Sequence, residues 1–356
     1  MRHRDSSGSD PIAEGEGDPA IAQEPPPRTQ AAPGRNALDA ASRCATAPPI
    51  PGGAPRAAQL DSSTALLLQD LLPGTGDDPL EPQAPARIGR YRVIAPIGAG
   101  AFAKVYKAID TEGGGECIAL KCLTPSVDGE TDGRAARFVR EAEILRTISH
   151  PNVVRLIEFG TEPVLYLAME LVPGGDLKTR LAAGTPWTLA GTLALARGVL
   201  CGIGAIHAAG IVHRDVKPAN VLLRENHEPV VADLGMGKVF GPGALTGYSM
   251  LIGTIAYMAP EQLRGAHVDR RTDLYAIGCI LFQMLTGRLP FNGANVVEVI
   301  RRISEAPAPP IAALKPDLPP ALAAFVDTLL AKDPARRYDC AAEALAALDG
   351  IAAEIP

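Results

Sequence analysis

The groups most able to do chemistry in this chain stand close together at His213-Arg214-Asp215-Val216-Lys217-Pro218-Ala219-Asn220, with Asp233-Leu234-Gly235 following thirteen residues after Asn220. Asp215 supplies a carboxylate, Lys217 an amine, Asn220 an amide and Asp233 a second carboxylate. Phosphoryl transfer asks a protein mainly for positioning and charge neutralisation, and a cluster of these four types outlines that chemistry.

Other elements must hold the remainder of such a site. Tyr91–Ile97 and Lys104–Ala108 read as strands joined by the glycine-containing turn Gly98-Ala99-Gly100-Ala101-Phe102-Ala103. Glycines let backbone approach a ligand closely, and successive amides can point at phosphate oxygens; a bare hairpin is the competing reading. Cys117–Leu123 is an apolar strand with Lys121 inside it, which is costly unless the ammonium meets an anion or points from an edge into solvent. Residues 134–149 have helical spacing through Phe138, Ala142, Leu145 and Ile148, and Glu141 is the acidic residue best placed to face Lys121. Strands are predicted over 153–159 and 164–170, a hinge over 172–176, and helices from Leu177 onward. His207, in the apolar helix predicted over 188–209, reads as a packed or surface histidine.

Taken in order, these residues resemble the eukaryotic-like serine/threonine protein kinases of bacteria, over about residues 91–347. The resemblance implies an α+β, two-lobed fold: a small antiparallel sheet with one helix above a mainly helical lobe. Asp215 matches the aspartate that orients the substrate hydroxyl and accepts its proton, and Lys217 the lysine that meets the γ-phosphate. Lys121 and Glu141 match the phosphate-anchoring pair. Asn220 and Asp233 match the metal-holding residues, whose hard oxygens suit Mg²⁺, with Mn²⁺ as an alternative. The turn Gly98 to Ala103 matches the lid over ATP. Ile97, Val105, Ala119, Met169, Val172 and Leu222 fall where adenine is lined, Glu170 and Val172 offer backbone groups to its edge, and Asp176 fits a ribose or a substrate cation. Glu261 is expected to pair with Arg337, Asp273 to hold the catalytic-loop backbone, and Leu145, Leu156, His213 and Leu234 to stack between lobes. Ala103 for the third glycine and Leu234 for phenylalanine depart from the pattern without removing a charged group.

The stretch between Asp233 and Glu261 is rich in glycine and hydroxyls. Arg214 is a candidate partner for a phosphate placed there, at Thr246 or Ser249 ahead of Tyr248; pairing with loop carbonyls is the plainer alternative. Thr254 is expected to bridge Asp215 and Lys217, which favours serine or threonine acceptors. Gln283 stands where arginine-directed kinases often carry an acid, so no strong basic preference is expected.

Composition sets the frame. Residues 1–90 contain no Phe, Trp, Tyr or Lys and hold 14 of the 33 prolines, too little apolar surface to offset the entropy of ordering. They are expected to form a disordered tail, with a short helix at 62–72 that either docks or folds back on the catalytic domain, or is a transient helix in a linker. The catalytic domain is expected at 91–349, with lobes meeting near 170–173, and a short tail at 350–356. A net charge of −6 without a basic stripe argues against nucleic acid. Six scattered cysteines without paired spacing favour free thiols and a cytoplasmic location. The longest uncharged run, 239–260, is broken by glycines and polar residues and reads as a loop, so no membrane span is expected. Protein substrates bearing serine or threonine are the expected partners; two rivals are a nucleotide-binding scaffold without catalysis and a small-molecule kinase.

Overall fold

The computed structural model describes residues 85–100, 103–124, 131–184, 186–234 and 255–355. The predicted 62–72 helix, Ala101, Phe102, Thr246, Tyr248, Ser249 and Thr254 lie outside them.

The upper region is one six-stranded antiparallel sheet in the order β1-β2-β3-β4-β6-β5. Its strands are β1 (Arg87–Ile88), β2 (Tyr91–Ala99), β3 (Ala103–Asp110), β4 (Cys117–Leu123), β5 (Leu156–Gly160) and β6 (Tyr166–Glu170), and helix α1 (Thr131–Thr147) is inserted between β4 and β5. Side chains alternate across a strand. In β4 this sends Ile118, Leu120 and Cys122 into a cluster with Ile88, Tyr91, Tyr106 and Tyr166 on one face. Ala119, Lys121 and Leu123 are left on the opposite face. Ile88 is buried and pairs with Tyr91, so the folded unit begins at β1, a few residues ahead of Tyr91.

The lower region is mainly helical: α2 (Leu177–Ala182), α3 (Leu189–Ala208), α4 (Pro260–Leu263), α5 (Arg270–Thr286), α6 (Val296–Glu305), α7 (Ile311–Leu314), α8 (Pro320–Leu329) and α9 (Ala341–Glu354). A hairpin of β7 (Val221–Leu223) and β8 (Pro229–Val231) interrupts it. Helix α5 is apolar on nearly every side, so it can only be central; it begins at an Asp269 cap and ends at Gly287, whose left-handed φ of 72° suits glycine. Helix α3 starts at the Thr188 cap. By length and composition α3 could cross a membrane, at mean hydropathy 1.7, which the reading of 239–260 as the longest uncharged run did not bring out. It packs instead against α5, α9 and β8 as a core helix, with 56% of that stretch buried. Helix α9 continues to Glu354, past the expected end at 349.

The larger of two apolar clusters runs from α1 and the lower face of the sheet through α3 and α5 to α9. Leu145 and Leu234 lie inside it, Leu156 packs against it and His213 is fully buried. Cys117, Cys122, Cys279 and Cys340 are free thiols, as expected.

Candidate active site

Sheet register assembles the upper half of the site. Gly98 pairs with Val105, Val105 with Lys121 and Lys121 with Leu167, while Ala119 pairs with Met169 in the adjacent row. The predicted lid and pocket residues thus share two rows of one sheet. Gly100 N donates to Ala103 O at 2.8 Å, closing the turn without requiring glycine at position 103. Alternation along β4 points Lys121 toward α1, where its Nζ donates to Glu141 Oε1 and Oε2 at 2.8 and 2.9 Å. It also reaches Asp233 Oδ1 at 2.5 Å.

The hinge is fastened to the lower region. Gly174 N donates to Leu223 O and Leu223 N to Gly175 O, both at 2.8 Å, and Asp176 bridges Leu222. Glu170 turns its carboxylate to Arg224 and to Arg155 N. Asp176 Oδ1 accepts from Thr179 N and caps α2, a task the ribose assignment had not included.

Hairpin β7–β8 explains the spacing between Asn220 and Asp233. Val221 pairs with Val231, and Ala232 N donates to Asn220 O, so residues far apart in sequence meet at the mouth of one hairpin. Asp233 there has a left-handed φ of 57°, a strained setting for a residue with a β-carbon. On the catalytic loop Asp215 Oδ2 accepts from Lys217 Nζ at 2.9 Å and from Asn220 Nδ2 at 3.0 Å. The loop is held from below as expected: Asp273 accepts from His213 N and Arg214 N, each at 2.8 Å. Glu261 pairs with Arg337 at 2.7 Å, also as expected.

His207 is a packed residue, one of the two readings given for it, and it has a polar partner as well. Its Nε2 lies 2.8 Å from Asp273 Oδ2, completing the support for the loop. Gln262 and Thr272 were not singled out from the sequence, yet Gln262 donates to Arg214 O and Thr272 to Glu261. No pattern in the chain marks these three, because their partners are 11 to 66 residues away.

Electrostatics match the geometry. Burial disfavours the charge on Lys121, but Asp233 and Glu141 outweigh it and hold the ammonium above its ordinary pKa. Burial would raise Asp233; Lys121 outweighs it, with His213 and Lys217 adding to the pull, so this carboxyl sits below its usual range. Glu141 is raised by burial, with Lys121 opposing and Asp233 reinforcing. One cation thus serves a carboxylate from each region.

Residues 91–347 match the family model described as protein kinase domain. The chain belongs to the protein kinase family. Among the proteins this kinase chain is similar to are three bacterial ones with serine/threonine-protein kinase names. It is 36% identical over 250 residues to the probable serine/threonine-protein kinase PknB of Lactococcus lactis, covering 70% of this chain and 40% of that one. It is 33% identical over 254 residues to PrkC of Bacillus subtilis, covering 71% and 39%. With PknJ of Mycobacterium tuberculosis it shares 37% over 261 residues, covering 71% and 44%. The kinase chain therefore spans about two fifths of the length of these curated relatives. The two-lobed fold read from the motifs is the one observed: a sheet with one helix above a helical region.

Proposed function

We propose that this chain transfers the γ-phosphate of ATP to serine or threonine hydroxyls of proteins. The observation that carries the reading is the meeting of Lys121 and Asp233 at 2.5 Å, beside an Asp215 held by Lys217 and Asn220. In this reading Asp215 orients the acceptor hydroxyl and takes its proton, and Lys217 places positive charge next to that carboxylate. Lys121, kept charged by its two carboxylates, holds the α- and β-phosphates.

The donor set fits Mg²⁺. Asn220 spends Nδ2 on Asp215 and keeps Oδ1 as a hard acceptor, and Asp233 adds a carboxylate. Among the described residues no three-membered His, Cys, Asp or Glu cluster forms an all-protein cage, which agrees with an ion that takes one or two protein oxygens and completes its shell with phosphates and water. When bound, Mg²⁺ neutralises the phosphates and aligns them for transfer.

Serine and threonine specificity draws support from Lys217 and from the relatives' names. The reading extends to regulation: Arg214 is exposed beside Asp215 and available to a phosphate introduced at Thr246 or Ser249. We place the enzyme in the cytoplasm, where ATP is supplied, as a signalling kinase.

The test uses the full chain with ATP and Mg²⁺ on casein or myelin basic protein. Wild type should label serine and threonine, and Asp215→Asn should lower transfer by about 10³-fold or more. Phosphosite mapping should find Thr246 or Ser249 modified in wild type only. Equal transfer by the two proteins, or none by wild type, sinks the reading and leaves a nucleotide-binding scaffold.

A further inference from the structure

We propose that Gln262 is a positioning residue for this reaction, a latch through which the turn of helix α4 holds the catalytic loop in its working shape. The inference rests on the kinase reading above and concerns a side chain outside the motifs that support that reading.

The loop needs holding at Arg214. Its φ of 66° is left-handed, a region that a residue with a β-carbon occupies only where its surroundings impose it. Both polar groups of this residue's backbone are gripped. Asp273 Oδ1 accepts from Arg214 N at 2.8 Å, and Gln262 Nε2 donates to Arg214 O at 2.9 Å. That carbonyl belongs to the planar peptide whose nitrogen is Asp215 N, so fixing it fixes the plane from which the catalytic carboxylate departs.

The other end of the Gln262 amide is used as well. Oε1 accepts from Ala259 N at 3.0 Å, so one carboxamide spans from the start of α4 to the catalytic loop. Among side chains of this length only an amide offers both an acceptor and a donor for such a span. The turn that carries it is itself anchored. Neighbouring Glu261 takes two hydrogen bonds from Arg337, at 2.7 and 3.0 Å, and one from Thr272 Oγ1 at 2.8 Å. Thr272 adjoins Asp273, which holds the far side of Arg214, so the contacts close into a ring: Arg214, Asp273, Thr272, Glu261, Gln262 and back to Arg214. Arg214, Asp215, Gln262 and Asp273 all line one small cavity of about 10 Å³, room for about one water.

Helix α4 lies at the end of the segment that runs from Asp233 to Glu261. A displacement of that end would pull Gln262 from Arg214 and release the backbone that carries Asp215. The latch therefore bears on the chemical step and leaves nucleotide binding alone, since Lys121, Glu141 and the hinge are not part of the ring.

The experiment compares full-length wild type, Gln262→Met and Gln262→Glu. Methionine keeps the length and loses both bonds; glutamate keeps the acceptor toward Ala259 and loses the donor toward Arg214. Both variants should lower kcat about tenfold and leave KM for ATP within about twofold, the size expected from one lost hydrogen bond in a strained loop. Hydrogen exchange of peptides covering 212–217 should quicken by about fivefold or more in both. Unchanged exchange in both variants overturns the latch whatever the activity, and so does a rise in KM for ATP that matches the fall in kcat. A wild type that transfers no phosphate sinks the kinase reading instead, while the exchange comparison still decides whether Gln262 holds the loop.

Discussion

Lys121 Nζ stands 2.5 Å from Asp233 Oδ1 and 2.8 Å from Glu141 Oε1, so one ammonium joins a carboxylate of the helical region to one of the sheet region. Burial of both Lys121 and Glu141 makes the pairing obligatory, since either charge alone would be poorly solvated. On the function proposed above, Lys121 would turn toward the phosphate oxygens of ATP and leave Asp233 to a metal ion.

Lys121→Met should therefore lower kcat/KM by about 10²–10³-fold, the range found when one preorganised charge donor is removed. Steady-state kinetics with varied ATP check this. An effect confined to the protein substrate's KM would contradict the assignment of Lys121 to the nucleotide.

The Glu261–Arg337 pair sets an acid limit on stability. Burial works to raise the Glu261 pKa, and Arg337 outweighs it, leaving the folded value below the ordinary one. A depressed carboxylate contributes stability above its unfolded pKa of about 4.3 and loses that contribution as pH falls through the lower folded value. Wild type should thus lose unfolding free energy below about pH 4.3. Arg337→Met should cost about 3–5 kcal/mol at pH 7, because Glu261 is left buried without its cation, and the gap to wild type should narrow in acid. Urea unfolding at pH 7 and pH 4 measures both; a gap that widens in acid would refute the sign.

Two glycines make opposite predictions. A β-carbon at Gly174 would stand 2.5 Å from Leu223 O and 2.7 Å from Arg224 O, backbone atoms with little freedom to yield. Gly174→Ala should push the hinge off β7, lower stability by about 1–3 kcal/mol and raise KM for ATP. At Gly133, on helix α1, a β-carbon meets nothing within 4 Å. Gly133→Ala should stabilise the helix that carries Glu141 by about 0.5–1 kcal/mol and leave KM unchanged. Thermal unfolding with ATP titration separates the two.

Much of the candidate site was legible in one dimension because its polar groups stand at short, constrained spacings. Asp215, Lys217 and Asn220 lie within one loop, and Lys121 announces itself as a charge inside an apolar strand. The strands β2 to β4, helix α1 and helix α3 were placed to within a few residues from apolar periodicity. Boundaries were less legible: β1 adds two residues before Tyr91, and α9 runs on to Glu354.

The amino-acid order by itself determined which groups this protein can bring to a phosphate: two carboxylates, two amines and an amide, each on an element whose pattern dictates its type. Only the tertiary structure decided which of them touch, and which unmarked residues support them. His207, Thr272 and Gln262 bear on the catalytic loop from distances along the chain that no local pattern encodes. The physical reason is that a buried backbone N–H or carbonyl in a strained loop must find a partner, and packing, not sequence proximity, selects it.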